Sequence, residues 1–198
     1  MCLHSNKQHG FSFLELVLVI TIIGVLFTVA ADRLLVLKVE AERTSMLQII
    51  GALRSAMSIQ VAKQISSGNV DNLPSMAGTN PMNWLAEKPE NYIGIKDEPD
   101  PADINQYKWY FDSYNNWLVY RVGNSDYFKS SLKGAPRARF RVNLDYTDIN
   151  ENGDFDFGTD EIHGLTLQSV EPYAWQAEPI NVDNYTSRTD IATQAADK

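Results

Sequence analysis

The sequence predicts an α+β fold in which a long N-terminal helix, membrane-spanning in its first half, packs on a small antiparallel β-sheet. An uninterrupted apolar segment fills residues 11–31. The next segment, residues 32–67, contains no proline, and its apolar residues recur every three or four positions, as in an amphipathic helix. Farther along, aromatic and β-branched residues alternate with polar ones between turn sequences, which predicts strands.

The apolar segment is long enough to cross a bilayer once as a helix. Its 21 residues extend about 32 Å at roughly 1.5 Å per residue, against a hydrocarbon core of roughly 30 Å. Glu15 is its only charged residue. A carboxylate in lipid costs a few kcal/mol, so such a residue is usually retained because something pairs with it. We therefore expect Glu15 to have a function.

The helix is predicted to continue past the apolar segment and to end near residue 67. Gly51 is the only glycine between residues 32 and 65. Gly68 then follows two serines, and Pro74 lies beyond it, which is the usual order of helix-end signals. One apolar face is predicted from positions three or four residues apart, namely Met46, Ile50, Leu53, Met57, Val61 and Ile65.

The remaining residues, 68–198, suit one small globular domain. Residues 72–103 carry five prolines, and a loop of this length in a small domain usually indicates function or disorder. Within it, residues 81–86 favour a short helix. Strands are predicted at residues 108–111, 117–122, 137–144 and 165–170.

The overall charge argues against a nucleic-acid partner. The chain has 17 Lys and Arg against 25 Asp and Glu, for a net charge of −8. Proteins that bind nucleic acid usually present a basic patch or a basic overall charge to the phosphates. We therefore expect no nucleic acid among the partners.

The start of the chain resembles a known signal. A short polar leader, MCLHSNKQHG, ends in Gly10, and the apolar segment then begins with Phe11 and carries Glu15 as its fifth residue. In these features the sequence resembles the class III signal of type IV pilins and type II secretion pseudopilins. The resemblance implies that a prepilin peptidase cleaves between Gly10 and Phe11 and methylates the new amino group of Phe11. It also implies that Glu15 pairs with the N-terminal amine of a neighbouring subunit.

The same resemblance implies a domain order and a location. Residues 1–10 would be a leader, residues 11–31 the membrane half of the helix, residues 32–67 its amphipathic half and residues 68–198 the globular domain. The protein would sit in the inner membrane with a single span and a periplasmic C-terminal domain, and would then enter a pilus or pseudopilus, with the cell surface as a further location. Its partners would be other pilin subunits bundled through their helices, the prepilin peptidase and an inner-membrane assembly platform.

The plain alternative is a signal anchor in which Gly10 and Glu15 have no special role. Within the filament interpretation, a minor subunit is favoured by the proline-rich loop and the acidic insertion. Residues 80–92 also resemble loop sequence of minor pilins, for example of the MSHA type.

Oxygen-bearing side chains alternate along residues 148–161, here called the acidic loop. Their spacing resembles the first nine positions of an EF-hand loop, with Gly153 at the sixth. The twelfth position is Thr159 rather than glutamate, so the sequence predicts a Ca²⁺ loop between two strands and not a complete EF-hand. The candidate Ca²⁺ ligands are Asp148, Asn150, Asn152, Asp154, Asp156, Asp160 and Glu161.

A bound cation would hold the loops of the exported domain together. Cys2 is the only cysteine and lies in the predicted leader, so the processed chain would lack the disulfide with which many pilins close their C-terminal region. Crowded carboxylates also repel one another without a cation. The alternative is an acidic hairpin loop in which Asp and Asn side chains only satisfy turn backbone.

Catalysis is not expected. His163 is the only histidine outside the leader, and the sequence has no G-x-S-x-G motif. Two alternatives to a filament subunit remain, a singly anchored periplasmic calcium-dependent binding protein or adhesin that does not polymerise, and an anchored glycan-active enzyme. For a binding surface the tryptophans are the candidates, although strand positions place Trp109 and Trp117 in the core, while Trp84 and Trp175 could lie in either place.

Overall fold

The structure, a computed structural model, describes residues 12–176. The chain divides into two compact units, residues 1–41 and residues 42–198. One long helix contributes residues to both. The helices are α1 (Phe13–Ser66) and α2 (Leu73–Met76), and the strands are β1 (Tyr92–Lys96), β2 (Trp109–Asp112), β3 (Trp117–Arg121), β4 (Phe128–Ser130), β5 (Arg137–Thr147), β6 (Glu161–Ser169) and β7 (Tyr173–Trp175). Short 3₁₀ helices lie at Val70–Asn72, Pro81–Trp84, Pro101–Asp103 and Ser125–Tyr127.

In the first unit, the described residues lie almost wholly in helix α1. By length and composition this helix could cross a membrane, and 0% of its most apolar 18-residue stretch is buried. This is the first half of the predicted helix.

In the second unit, the remainder of α1 packs on the sheet. Met46, Ile50, Leu53 and Met57 are each at most 5% exposed. They meet the apolar residues of the inner sheet face, Trp109, Phe111, Leu118, Tyr120, Ala138, Phe140, Val142, Leu165 and Leu167. The predicted amphipathic face is therefore the buried face, except that Ile65 is 53% exposed in the last helical turn.

The main sheet has five strands in the order β1-β2-β3-β5-β6, and β4 pairs with β7 in a separate two-stranded sheet. All neighbouring strands are antiparallel except β1 and β2, which run parallel. In the centre of the sheet Leu118 lies opposite Phe140, and Val142 lies opposite Leu167. The predicted α+β class, a long N-terminal helix with a small and mostly antiparallel sheet, is confirmed.

Helix α1 ends where the glycine signal predicts. Gly68 has φ +68°, a conformation that glycine adopts without a Cβ penalty. Its N–H donates to the Ile65 carbonyl at 3.1 Å, and the Asn69 N–H donates to the Gln64 carbonyl at 2.9 Å. This pair of bonds is a Schellman motif, which supplies donors to carbonyls that have no partner within the helix.

The proline-rich segment is more ordered than the sequence suggested. It contains α2, two 3₁₀ helices and strand β1, which the sequence analysis missed. Asn80 accepts from the Met82 N–H at 3.1 Å and donates to the Tyr92 hydroxyl at 2.7 Å, which connects the first half of the segment to β1. Strand β1 was missed because it is a short edge strand with Gly94 at its centre and a register shift against β2, so it lacks a clear alternation.

Candidate functional site

The first candidate site is the start of helix α1. Glu15 is the third residue of the helix, and its side chain is exposed in the first turn. A negative charge there also interacts favourably with the positive end of the helix dipole. The predicted cleavage residues Gly10 and Phe11 lie outside the described residues, so cleavage between them stays a prediction.

The surface around Glu15 is apolar on all sides of the helix. Seventeen large apolar side chains within residues 13–37 are each 41–82% exposed. The hydroxyls of Thr21 and Thr28 donate to helix carbonyls four and three residues earlier, each at 2.8 Å, so they need no outside partner. An apolar surface of this extent requires lipid or other apolar helices around it. Within residues 13–31, Glu15 is the only charged residue.

The second candidate site is the acidic loop between β5 and β6. Two aspartates close it by accepting backbone hydrogen bonds. One oxygen of Asp148 accepts from the Gly153 N–H at 2.7 Å. The two oxygens of Asp160 accept from the N–H groups of Ile149 at 3.0 Å and Asp156 at 2.7 Å. These bonds bring the two ends of the loop together.

The asparagines of the loop make both side-chain and backbone contacts. The amide groups of Asn150 and Asn152 each donate to Oδ2 of Asp156 at 2.6 Å. Their own oxygens accept from the N–H groups two residues later, at 3.2 and 2.8 Å. This is the Asx-turn pattern, in which Asn satisfies turn backbone.

One carboxylate oxygen of the acidic loop remains unused. Oδ1 of Asp148 is buried and has no hydrogen-bond partner among the described residues. Partial burial and the negative charges of Asp148, Asp160, Asp154 and Asp156 raise the pKa of the Tyr146 hydroxyl. Four carboxylates therefore act on a single phenol, which shows how closely the loop concentrates negative charge.

The donor set of the loop fits Ca²⁺ chemically, because carboxylate and amide oxygens are hard ligands. The described residues do not gather these donors into a finished site, since no group of three or more His, Cys, Asp or Glu side chains among them is placed to hold a metal ion. Glu161 is exposed at the first position of β6, whereas Asp148, Asn150, Asn152, Asp156 and Asp160 share hydrogen bonds within the loop.

A third site, centred on Glu42 of α1, was missed by the sequence analysis. Its side chain is 6% exposed. One oxygen accepts from the Tyr120 hydroxyl at 3.0 Å and the Gly123 N–H at 2.7 Å, and the other accepts from the N–H and side-chain amide of Asn124 at 2.9 and 2.6 Å. The signal was available, because Glu42 precedes Met46 by four positions and so lies on the apolar helix face, where a lone charge must be paired.

His163 and the tryptophans were the remaining candidates for a functional site. His163 is exposed on β6, and its Nε2 lies 2.7 Å from Oγ1 of Thr147. Trp109 is fully buried in the main core, and Trp84 and Trp175 pack against that core. Trp84 and Trp175 therefore remain partly exposed, whereas Trp109 does not reach the surface.

Comparison with known proteins adds one finding. Residues 5–31 match the family model described as the prokaryotic N-terminal methylation motif. The chain carries this methylation motif. The match includes Gly10, Phe11 and Glu15, the residues on which the sequence resemblance rested. The curated proteins and the solved structures give no match to the chain.

The methylation motif is the class III signal peptide of type IV pilins and pseudopilins, so the predicted resemblance is confirmed. The motif supports a type IV pilin-like or pseudopilin precursor. It suggests a structural protein rather than an enzyme, and in general it implies processing by a prepilin peptidase and assembly with other pilins. Together with the apolar half of α1, it fits anchoring in a membrane.

Proposed function

We propose that the protein is a structural subunit, a minor pilin or a pseudopilin, of a type IV pilus-like or type II secretion filament. The observation that carries the proposal is the methylation motif on a helix whose apolar half is exposed all round. In the membrane, lipid covers this surface. In a filament, the corresponding helices of neighbouring subunits cover it instead.

Glu15 gives the assembly step its specificity. Its carboxylate is costly in lipid, and pairing with the amine of a processed neighbour lowers that cost. The neighbour would be cleaved between Gly10 and Phe11, which places a methylated amine at the start of its own helix. The pairing then fixes the stagger between adjacent helices.

The location and partners follow from this mechanism. Before assembly the protein is held in the inner membrane by one span, with its C-terminal domain in the periplasm. The prepilin peptidase processes it, and an inner-membrane assembly platform moves it into a pilus or pseudopilus of other pilin subunits. Assembly, and not turnover of a substrate, is the proposed function.

Processing is tested by mass spectrometry of the protein from a host with an active prepilin peptidase. We expect the N-terminal peptide to begin at methylated Phe11. Gly10→Val should block cleavage and leave the leader attached. A wild-type chain that keeps its Met1 terminus in such a host would overturn the filament proposal.

Assembly is tested by a substitution that keeps the span apolar. Glu15→Val should leave membrane insertion intact and remove the protein from the sheared or secreted filament fraction. Thr21→Val is the matched control, because it also removes a polar group from the span but one that bonds only to its own helix. If Glu15→Val assembles like the wild type, Glu15 does not direct assembly. If the wild type itself is absent from the filament fraction, the protein is better explained as a singly anchored periplasmic calcium-dependent binding protein or adhesin that does not polymerise.

We further propose that the acidic loop binds Ca²⁺. The unused Oδ1 of Asp148 supports this, because the Gly153 N–H holds the other oxygen of the same carboxylate and so fixes the orientation of Oδ1. Asp154 and Asp156 would have to turn toward it to complete the site. Calcium titration of the thermal stability of the protein tests the proposal.

A further inference from the structure

The hairpin formed by β5 and β6 carries opposite charges at its two ends. Arg137, Arg139 and Arg141 alternate with buried residues along β5, so they share the sheet face that points away from the core. Arg121, on β3, lies directly opposite Arg137 of β5, so its side chain is on the same sheet face. We call these four residues the arginine ridge. At the other end, the acidic loop has six carboxylates and no Lys or Arg.

Among residues 12–176, no carboxylate pairs directly with the guanidinium groups of Arg121 and Arg137. Arg121 is 6% exposed, and its guanidinium donates to the carbonyls of Ile104 and Pro136, at 3.2 and 2.5 Å. Arg137 donates to the carbonyls of Lys133 and Ala135. Burial, and less strongly the positive charge of Arg137, lower the pKa of Arg121. Like charges directly opposite on neighbouring strands are unfavourable unless an anion lies near them.

Two carboxylates close to the ridge are already engaged. Glu171 forms a two-pronged ion pair with Arg139, whose guanidinium also lies 3.8 Å from the ring centroid of Trp117. Asp112 is buried and accepts hydrogen bonds from the turn that joins β2 to β3. Arg141 is exposed, and its side chain makes no hydrogen bond or ion pair with the part of the chain that the structure describes.

The ends of the hairpin are too far apart to neutralise each other. Arg141 and Thr147 are six residues apart on β5, which is about 20 Å along a strand. The acidic loop begins only after Thr147. This separation exceeds the Debye length of about 8 Å at physiological ionic strength, so the two ends of one hairpin do not neutralise each other.

We propose that the arginine ridge of one copy of the protein binds the acidic loop of a second copy. The argument is charge complementarity between two surfaces that the same chain presents at a fixed separation. In a filament each copy would bind one neighbour through its ridge and another through its loop, so the contact would propagate from copy to copy. The inference rests on the proposed filament function and specifies one contact between its globular domains.

Cysteine cross-linking in membranes tests the contact with the full chain. In a Cys2→Ser background, Arg141→Cys and Asp154→Cys are introduced separately and together. Both positions are exposed, and they are too far apart to bridge within one chain. Under oxidation the double variant should give a ladder of dimers, trimers and larger species. Each single variant alone should give little product, whereas a mixture of the two should give dimers.

Charge reversal gives a second measurement, the co-purification of two differently tagged copies. Arg141→Glu or Asp154→Lys alone should reduce it about fivefold, and the two on the same chain should restore it. Lys96→Glu, on the far edge strand β1, is the matched control and should have no effect.

The outcomes separate this inference from the proposed function. A processed chain that enters filaments, with no ladder and no recovery by the double charge reversal, would overturn the ridge-loop contact and leave the filament function standing. Capture of a different acidic protein in place of a second copy would also overturn it. A ladder from a chain that keeps its leader would support the contact while removing the filament proposal.

Discussion

The Tyr120 hydroxyl donates a 3.0 Å hydrogen bond to the carboxylate of Glu42, which lies 78 positions earlier in the chain. Burial, followed by the charge and hydrogen bond of Glu42, raises the pKa of this hydroxyl, so Tyr120 stays protonated and continues to donate. Gly123 and Asn124 also donate hydrogen bonds to this carboxylate. The buried charge of Glu42 therefore links helix α1 to strand β3 and the residues that follow it.

Glu42→Gln should lower the free energy of unfolding by about 2–4 kcal/mol. The new amide group would turn one acceptor into a donor that faces either Asn124 or Gly123, so at least one buried N–H loses its partner. Urea denaturation of the detergent-solubilised chain, followed by tryptophan fluorescence, measures the change.

The control for this change is Glu90→Gln, a substitution of an exposed glutamate that should change the unfolding free energy by less than about 0.5 kcal/mol. Equal stability of Glu42→Gln and the wild type would show that the buried carboxylate does not hold the helix to the sheet.

Gly123→Ala should destabilise the protein by about 1–3 kcal/mol, because the Tyr107 ring packs directly on the Gly123 backbone. A Cβ at this position would lie 1.9 Å from Cζ of Tyr107. The double variant Gly123→Ala with Tyr107→Gly removes the clash and also suits the φ of +63° at position 107, so its loss should be smaller than the sum of the two single losses. Thermal unfolding of the four chains gives this comparison. Purely additive losses would contradict it.

Periodicity was enough to predict the helix and the central strands. Met46, Ile50, Leu53 and Met57 recur at helical spacing, and this local pattern decides which face is buried. The alternation around Phe140 likewise predicts the inner face of β5. Such signals lie within a few residues of one another, so a single sequence carries them.

Elements that depend on distant partners could not be predicted in this way. Strand β7 has three residues and exists through its pairing with β4, with Trp175 opposite Phe128. The role of Glu42 depends on donors about 80 positions away, and the arginine ridge appears only when β3 and β5 are placed side by side. For the acidic loop, the sequence identified the oxygen donors but not how many of them backbone N–H groups occupy.

The protein should lose stability as the pH rises above about 10, in part through Tyr110. Burial is the main cause that raises the pKa of this hydroxyl from 10.0 to about 12, with the positive charge of Arg137 as the largest opposing effect. The folded protein therefore keeps a proton that the unfolded chain releases between pH 10 and 12, and the stability falls through that window.

Chemical denaturation at intervals from pH 9 to 11.5 measures this fall. Tyr110→Phe should make the decline shallower, whereas Tyr114→Phe, at a tyrosine that is 67% exposed, should leave it unchanged. If Tyr110→Phe and the wild type decline in parallel, Tyr110 does not contribute to the alkaline loss.

Calcium should raise the melting temperature of the full chain, and a chelator should lower it again. Binding to the folded state alone adds about 2.7 kcal/mol when the free ion exceeds its dissociation constant a hundredfold. Asp148→Asn should remove most of this gain, because it discharges the one carboxylate whose Oδ1 is buried and unused while keeping an oxygen for the Gly153 N–H. Asp126→Asn, an exposed aspartate outside the acidic loop, should respond to calcium like the wild type.

Hydrogen bonds within the acidic loop would explain the opposite result, a melting temperature that does not respond to calcium. Asp160 already accepts two backbone N–H groups, and Asp156 accepts two asparagine amides, so the carboxylates have partners without an ion. If neither calcium nor the chelator moves the melting temperature, these hydrogen bonds suffice and the calcium proposal is removed. The negative charge of the loop would then remain available to the arginine ridge of a second copy at any calcium concentration. Measuring the co-purification of two differently tagged wild-type copies with and without calcium distinguishes the two cases, because a bound cation should weaken the co-purification and an inert loop should leave it unchanged.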